Sequence, residues 1–287
     1  MCVAISTTNA ATVSLTGVDV TGTKSGSDTG CNHGSDDVTF TDAYSLTLSG
    51  CNFKSITFAG TILSGTTVTL DSSTTINDNL SFDSLVSMDF TFTMDGGSFG
   101  AGAVVSKVLF TSCTLDNFVM RLTSSVSVAM DTTGSNFMRF SSCALDKFDI
   151  SLNVAASRSS GDGGAATSFI NMDACSFTLL NRKKLLMTTG STVNWFNAQD
   201  SGFIRCNSAW QGVDVSIVST TMDIRSPVFG YVFFGPHFKD STLTVDSSTL
   251  SLEEDGATGA DRFFHVSNGI ERSTIEIVNS NINIESS

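Results

Sequence analysis

Residues 108–115 read Val-Leu-Phe-Thr-Ser-Cys-Thr-Leu, and the same pattern occurs at three other places around a central cysteine. In each copy, apolar residues stand five and three positions before the cysteine and two and five positions after it. The central residues are Cys51, Cys113, Cys143 and Cys175, and the first gap is about twice as long as each of the other two. We read the first gap as two units, so that the period is about thirty residues, which is typical of a repeat architecture.

The spacing inside this block predicts its local geometry. Residues two apart share one face of a strand, whereas an odd step crosses to the other face unless the chain bends. Val108 and Phe110 are two apart, as are Cys113 and Leu115, but the step between the two pairs is three. We interpret each odd step as a corner between short strands that share one apolar interior. The sequence predicts an all-β, single-stranded parallel β-helix (β-solenoid) of about eight to ten coils of roughly thirty residues, with very little helix.

A second anchor favours one continuous domain over residues 1–287. Apolar pairs recur twice after Cys206, at two slightly different offsets: Val215/Ile217 with Met222/Ile224, Leu243/Val245 with Leu250/Leu252, and Ile275/Ile277 with Ile282/Ile284. Unequal offsets predict loops of variable length on a fixed core. The predicted loops are the Gly- and Ser-rich residues 21–35, 95–103, 155–166 and 255–260. We expect residues 1–37 to form an irregular or incomplete first coil. We also expect a fragment of a longer chain, because the last residues stop within a strand pattern.

The aromatic composition suits a dry interior. The chain has 22 Phe but only 2 Tyr and 2 Trp. Tyr and Trp are favoured where a polar atom must reach water, so the excess of Phe predicts ladders of rings in the core.

The cysteines allow two interpretations. Neighbouring coils lie about 4.8 Å apart, and this separation would permit a disulfide between Cys113 and Cys143. Side chains that point the same way fit the twist of that bond poorly, so we favour a buried stack of thiols that act as small hydrophobes. The sequence has no CxxC pair and no Cys/His cluster with metal-ligand spacing. It therefore predicts no metal site and no cofactor.

The charge and the hydropathy exclude some partners. A formal net charge of −13 argues against nucleic acid, whose phosphates require a basic face. No run of eighteen apolar residues could span a membrane, and the first residues lack a secretory signal. The only glycosylation sequon, which begins at Asn79, favours a secretory route. We expect an extracellular or cell-surface protein, with any signal or anchor in the missing parts of a longer chain.

Candidate catalytic residues are few. The richest group is residues 31–37, Cys-Asn-His-Gly-Ser-Asp-Asp, where two carboxylates beside a histidine could act as acid and base. Adjacent residues of an extended segment face opposite ways, and we interpret Asp36 and Asp37 as turn residues that open the next strand. The other histidines, His237 and His265, do not stand at equivalent repeat positions. We assign no catalytic, cofactor-binding or metal-binding residue.

Two further hypotheses use oxygen-rich positions. Residues 77–79 (Asn-Asp-Asn) and 253–255 (Glu-Glu-Asp) offer calcium ligands, but neither matches a calcium-loop spacing, and we interpret both as solvated turns. Thr-x-Thr pairs could form an ice-binding face if every coil carried one. They stand at 39/41, 67/69 and 91/93 but then not until 242/244, and Thr is favoured on strand surfaces in general.

The phrase small-small-Cys-x-Phe/Leu at residues 49–53, 111–115, 141–145 and 173–177 resembles the turn-and-strand phrase of right-handed parallel β-helix proteins of the pectin-lyase-like class. The resemblance implies a right-handed β-helix over most of residues 38–287. Polygalacturonase-type hydrolases of that class carry acidic and His-Gly motifs on successive coils. Here only His33-Gly34 and Asp36-Asp37 are similar to these motifs, and they occur in a different order. No lyase-like cluster of Asp with Arg or Lys on adjacent coils is recognised. Their catalytic residues are therefore not carried over.

The Ser/Thr/Val-rich texture also resembles the dispersed-gene-family surface proteins of trypanosomatids, which implies an adhesin-like role. Our first hypothesis is thus a non-enzymatic structural or adhesin-like β-helix whose partner is a carbohydrate or another cell-surface protein. The alternative is a carbohydrate-active enzyme, a polysaccharide hydrolase or lyase, with Asp or Glu side chains from several coils on one wall and Trp195 or Trp210 as a sugar platform. An ice-binding face is the third hypothesis. Exposed strand edges at both ends should promote end-to-end self-association.

Overall fold

The computed structural model describes residues 12–16, 33–40, 45–61, 65–102, 106–130, 136–158, 168–178, 181, 183–196, 201–226, 230–254 and 262–285. The regular elements of these residues are strands, and no helix among them is long and apolar enough to cross a membrane. The strands are β1 (Thr12–Thr16), β2 (His33–Phe40), β3 (Ser45–Ser49), β4 (Asn52–Thr61), β5 (Thr67–Leu70), β6 (Thr75–Ile76), β7 (Leu80–Met88), β8 (Thr91–Asp95), β9 (Ser98–Phe99), β10 (Ser106–Thr111), β11 (Thr114–Asp116), β12 (Phe118–Ala129), β13 (Asn136–Ser141), β14 (Ala144–Leu145), β15 (Phe148–Arg158), β16 (Ser168–Asp173), β17 (Ser176–Phe177), β18 (Lys183–Met187), β19 (Thr192–Phe196), β20 (Ser201–Cys206), β21 (Trp210–Gln211), β22 (Val213–Val218), β23 (Thr221–Ser226), β24 (Gly230–Lys239), β25 (Thr242–Asp246), β26 (Thr249–Glu254), β27 (Arg262–Glu271), β28 (Thr274–Val278) and β29 (Asn281–Glu285).

Most strands stack in parallel to form three walls. The short strands β11, β14 and β17 pair in register after the corner that ends wall A, and β21 pairs there with the end of β24. Wall A contains β2, β4, β7, β10, β13, β16, β20, β24 and β27. Wall B contains β1, β3, β5, β8, the first half of β12 and of β15, and then β18, β22, β25 and β28. Wall C contains the start of β4, then β6, β9, the second half of β12 and of β15, β19, β23, β26 and β29. Each strand pairs with the strand one coil away, which confirms the predicted all-β parallel β-solenoid.

The coil length varies along the chain. Phe110 pairs with Phe82 in the preceding coil and with Phe140 in the following coil. Six successive turns between residues 106 and 285 have about this length and contribute a strand to every wall. An earlier turn is clearly shorter, since it extends only from Leu46 to its partner Val68. The predicted coil length of roughly thirty residues is therefore confirmed for these six turns, whereas the turns before them include a shorter one.

Small residues in a left-handed conformation make the corner that ends wall A. Ser112, Ser142 and Ala174 have φ angles of 53°, 56° and 51°. This conformation bends the chain at the corner, and among non-glycine residues it favours short side chains. The following cysteine then points inward, and the Sγ of Cys113 donates a hydrogen bond to the carbonyl of Phe82 at 3.2 Å. The small residue before each of these three cysteines is therefore part of the corner.

Cys51 lies at a different corner from the one that the repeat predicted. The preceding Leu48 pairs with Leu70 in wall B, whereas Asn52, which follows it, pairs with Thr75 in wall C. Cys51 thus turns the chain from wall B to wall C. The alignment of residues 46–53 with 108–115 was wrong because the two corners have the same apolar spacing, a step of two followed by a step of three.

The predicted ladders of phenylalanine are confirmed. Along wall A the ring centroids of neighbouring Phe40, Phe58, Phe82, Phe110 and Phe140 are separated by 5.3, 5.6, 4.7 and 4.4 Å, and each neighbouring pair is stacked. All five rings are buried. The pairing of identical residue types in register places each ring on the next, so one ladder fixes the mutual position of five strands.

The cysteine prediction is confirmed in part. Cys113, Cys143, Cys175 and Cys206 are free and buried, whereas Cys51 is disulfide-bonded. The hydrogen bond to Cys143 and burial raise the pKa of Cys113 and Cys175, and the S–H groups of these two neighbours lower the pKa of Cys143. Burial raises the pKa of Cys206 to about 12. A thiol stack therefore forms at the wall A corner but does not include Cys51.

The predicted loops lie partly within strands. Residues 95–103 include the end of β8 and all of β9, and residues 155–158 belong to β15. Residues 33–35 of the first predicted loop belong to β2, and β1 lies within the predicted irregular first coil. Residues 17–32, 159–167 and 255–261 lie outside the described residues.

We predict that Phe110→Ala lowers the free energy of unfolding by about 3–5 kcal/mol because it removes a fully buried ring from the middle of the wall A ladder. Leu109→Ala is the matched control, since Leu109 is the outward, partly exposed neighbour on the same strand. Urea unfolding followed by circular dichroism measures both. Equal losses for the two variants would contradict the ladder.

We predict that iodoacetamide labels none of the four free thiols in the native protein because their side chains are enclosed in the core. In denaturant without reductant, mass spectrometry should detect labelling of Cys113, Cys143, Cys175 and Cys206. Cys51 should become labelled only after reduction. Rapid native labelling of Cys143 would contradict the inward-facing stack.

Candidate binding groove on wall B

The outward side chains of wall B form two files along the solenoid axis. In one file Asp149, Lys184, Asp214 and Thr242 are in register on successive coils. The other file, two positions further along each strand, contains Arg121, Ser151, Leu186, Ser216 and Thr244. The residues between the files, such as Leu185, point into the core because strand side chains alternate. The same register that stacks the core therefore aligns the surface.

These files enclose a groove. A cavity of about 510 Å³ is lined by Arg121, Asp149, Ser151, Lys184, Leu185, Leu186, Asp214, Ser216, Thr242 and Thr244. A smaller cavity of about 100 Å³ is lined by Asn117, Phe118, Lys147, Phe148, Asp149 and Lys184. The two cavities share Asp149 and Lys184, so we treat them as one feature, the wall B groove. Short Ser and Thr side chains leave the groove open between longer charged neighbours.

An ion pair forms one side of the groove. The Nη2 of Arg121 donates to Asp149 Oδ2 at 2.7 Å, and its Nη1 donates to Asp149 Oδ1 at 3.1 Å. Nη1 also donates to the backbone carbonyl of Asp149 at 2.7 Å. This bidentate arrangement fixes both side chains. Both remain about one third exposed, so the pair lies at the surface of the groove.

Lys184 lies between two aspartates in the same file. Strands stack at about 4.8 Å, so the backbones of Asp149 and Asp214 are about 10 Å apart, with Lys184 midway. Among the described residues, neither Lys184 nor Lys147 forms an ion pair or a hydrogen bond through its ammonium group. Their charges are thus available to a ligand in the groove.

The two files together bring Asp, Lys and Arg side chains close to one another on adjacent coils, which the sequence pattern had not revealed. The reason is the uneven coil length, because the step from Asp149 to Lys184 is longer than the step from Lys184 to Asp214. A fixed period does not superimpose these positions. Alignment of Ile150, Leu185 and Val215, the inward residues that follow the members of the file, could have revealed it.

The acidic group near the start of the described chain lies within a strand. Asp36 and Asp37 belong to β2 rather than to a turn, which corrects our interpretation. Asp37 is exposed and pairs with Lys54 at 3.0 Å. Hydrogen bonds from Ser55 and Lys54 lower the pKa of Asp37. Its carboxylate therefore serves a surface ion pair, while residues 31 and 32 lie outside the described residues.

Neither tryptophan can serve as a sugar platform. Trp195 and Trp210 are both 0% exposed. Trp195 packs edge-on against Phe169 with centroids 5.3 Å apart, and the guanidinium of Arg158 lies 5.9 Å from its ring centroid. The structure therefore rules out the surface role that we considered for these rings, which are core residues instead.

The oxygen-rich positions do not assemble a metal site among the described residues. No group of three or more His, Cys, Asp or Glu side chains in that part of the chain could hold a metal ion. Asn77 donates its amide to Asn52 at 3.1 Å, and Glu253 forms an ion pair with Arg225 at 3.4 Å. Asp255 lies outside the described residues.

The threonine pairs do not form one continuous face. Thr67 and Thr91 are in register on wall B, as are Thr69 and Thr93. The next outward residues in these files are Val119 and Arg121, followed by the charged groove. Wall B therefore carries a threonine surface on its early coils and a charged surface on its later coils.

Comparison with known proteins gives no family. The chain matches no protein-family model, and no curated protein or solved structure shows significant similarity to it. The β-solenoid architecture therefore rests on the strand register described above.

We predict that Lys184→Ala changes the free energy of unfolding by no more than about 0.5 kcal/mol, as is usual for an exposed side chain at the surface. Trp195→Ala should cost about 3–5 kcal/mol because it removes a buried ring. Thermal and urea unfolding measure both changes. A large loss for Lys184→Ala would show that the groove is needed for folding.

Proposed function

We propose that this protein is a non-enzymatic, adhesin-like β-solenoid that binds a saccharide in the wall B groove. The groove itself is the observation that supports the proposal. It combines side chains of both charges, several hydroxyl groups and one outward apolar side chain, Leu186, over successive coils. Elongated concave surfaces on stacked repeats are common binding surfaces.

The chemistry of the groove suits the two faces of a sugar ring. Asp149, Asp214 and Lys184 offer acceptors and donors for hydroxyl groups. Leu186 lies in register between Ser151 and Ser216, so it forms a small apolar surface among polar side chains. The C–H face of a sugar on Leu186 would bring its hydroxyl groups toward the charged file. A chain of sugars would follow the solenoid axis because the files do.

An extracellular or cell-surface location is part of the proposal. The disulfide of Cys51 supports it, since disulfides persist in oxidising compartments. The resemblance to right-handed pectin-lyase-like β-helices, and the further resemblance to trypanosomatid surface proteins, are in keeping with a surface role. Another cell-surface protein is the other class of partner that fits such a wall.

A carbohydrate-active enzyme is the second candidate. The specific observation in its favour is the order Asp149, Lys184, Asp214 along one file, since two carboxylates that flank a bound sugar chain can act as acid and base. Both carboxylate oxygens of Asp149 already accept hydrogen bonds from Arg121, which favours a binding role over a catalytic one.

The test is a glycan-array and polysaccharide-turnover screen on the purified protein, with binding and product release read in parallel. We expect binding without release of reducing ends or unsaturated products. Lys184→Ala and Asp214→Asn should each weaken binding by about tenfold because each removes a charge-assisted hydrogen bond.

Lys239→Ala is the matched control for this screen. Lys239 is partly exposed but pairs with Glu271 at 3.4 Å, outside the groove. An equal loss of binding in this control would contradict the groove as the site. Turnover that Asp149→Asn or Asp214→Asn abolishes would replace the binding proposal by the enzymatic one.

End-to-end self-association remains part of the proposal. The last described turn exposes large apolar side chains, namely Ile270, Ile275, Ile277, Val278 and Ile284. Another copy could cover them and continue the strand ladders. Sedimentation velocity should show association that increases with concentration and that Ile277→Lys weakens. A monomer at every concentration would contradict it.

A further inference from the structure

Two arginines, the partly exposed Arg205 and the exposed Arg262, differ from the other described arginines of this acidic protein. Four described arginines, Arg121, Arg139, Arg225 and Arg272, pair with carboxylates, and Arg158 is buried. Within the described residues, Arg205 and Arg262 make no ion pair. Arg205 donates its Nε to Asn207 at 2.9 Å, and Arg262 lies 3.3 Å from the Nδ1 of His265. Their remaining N–H groups have no acceptor in the described part of the chain.

Both arginines belong to one strip on the outer face of wall A. Arg139, Asn171, Arg205, Phe234 and His265 are in register on five successive coils, and all five side chains are partly exposed. We call this file the wall A strip. Arg262 begins the same strand as His265 and contacts it, so it extends the strip at that end.

The planar groups of the strip stack along the solenoid axis. The Arg205 guanidinium carbon lies 5.4 Å from the Phe234 centroid, and the Phe234 and His265 rings are 5.3 Å apart and 3° from parallel. Groups that stack along the axis present their edges outward. Aromatic edges carry partial positive charge, and the edge of a guanidinium carries its N–H donors. The strip therefore favours an anion from Arg205 to Arg262, whereas Arg139, at the other end, already pairs with Asp173 at 3.4 Å.

The cations of the strip recur at a regular spacing. Arg205 on β20 and Arg262 on β27 are separated by one intervening strand, β24. Arg139, which pairs with Asp173, lies two strands from Arg205 on the other side. At about 4.8 Å per strand, positive groups recur roughly every 10 Å. The planar fork of arginine matches a carboxylate. We propose that the wall A strip binds a linear polysaccharide that carries a carboxylate on every second sugar.

The strip does not depend on the proposed function of the groove. It lies on another wall, and none of its residues lines the groove. It also stays open if another coil or copy stacks on the last turn, because stacking covers strand edges and not the outer face of a wall. A strip of this sign is notable in a chain with a net charge of −13.

The experiment measures binding by isothermal titration calorimetry with three probes of similar length: hyaluronan fragments, with a carboxylate on alternate sugars, polygalacturonate, with one on every sugar, and neutral dextran. We expect hyaluronan to bind, dextran not to bind, and polygalacturonate to bind more weakly because its extra carboxylates meet an acidic protein. Arg205→Gln and Arg262→Gln should each weaken hyaluronan binding by about tenfold. Arg205→Lys should recover part of it through charge alone.

Arg225→Gln is the matched control because it removes the same charge from an arginine that pairs with Asp223 and Glu253 on wall C. It should leave hyaluronan binding within about twofold. Thermal unfolding of every variant checks that the fold is kept. Failure of the wild type to bind hyaluronan, or equal losses for Arg205→Gln and Arg225→Gln, would overturn the proposal. Loss of binding in Lys184→Ala but not in Arg205→Gln would place the anion in the groove instead.

Discussion

The in-register parallel ladder is the constraint on which the rest of this structure depends. Phe82, Phe110 and Phe140 stack at 4.7 and 4.4 Å because each pairs with its equivalent one coil away. A slip by one residue would turn every inward ring to the solvent, so the core specifies the register strongly. Once the core fixes the register, it also fixes which outward residues are neighbours on successive coils. One example is the file of Asp149, Lys184 and Asp214. These residues are aligned because the inward residues that follow them, Ile150, Leu185 and Val215, are in register.

The distribution of cations shows how an acidic protein of this type uses a small number of positive charges. Lys107 and Lys183 are fully buried, and their ammonium groups donate to backbone carbonyls, as in the bonds from Lys107 to Asn77 and Gly102 at 3.1 and 2.9 Å. Others, such as Arg272 with Asp240, hold neighbouring coils together at the surface. Arg158 is buried against the ring of Trp195, and in the described part of the chain the remaining cations lie in the groove or at the wall A strip. The charges that folding does not use are thus concentrated on two walls.

The sequence was sufficient to predict the architecture but not the surface. The two-residue spacing in pairs such as Val108 and Phe110 indicates directly which residues face inward. The period of the cysteine blocks indicates the length of one coil. Both signals fail where two corners share a spacing, which is why Cys51 was assigned to the wrong one. The groove could not be found from a fixed period because the coils that separate Asp149, Lys184 and Asp214 differ in length. Trp195 shows a further limit: composition alone does not tell a buried ring from a platform.

A solenoid of this kind separates stability from recognition more completely than a globular domain does. The inward positions carry the ladders, and their substitution is costly wherever it occurs along the axis. The outward positions alternate with them and contact mainly their neighbours in the same file. Arg205, Phe234 and His265 can therefore stack to form a surface for an anionic ligand, and Arg121 with Asp149 a groove edge, without any change in the core beneath them. A ligand that follows a file would meet side chains repeated at the strand spacing, so the two proposed sites favour linear ligands whose repeat is a multiple of that spacing.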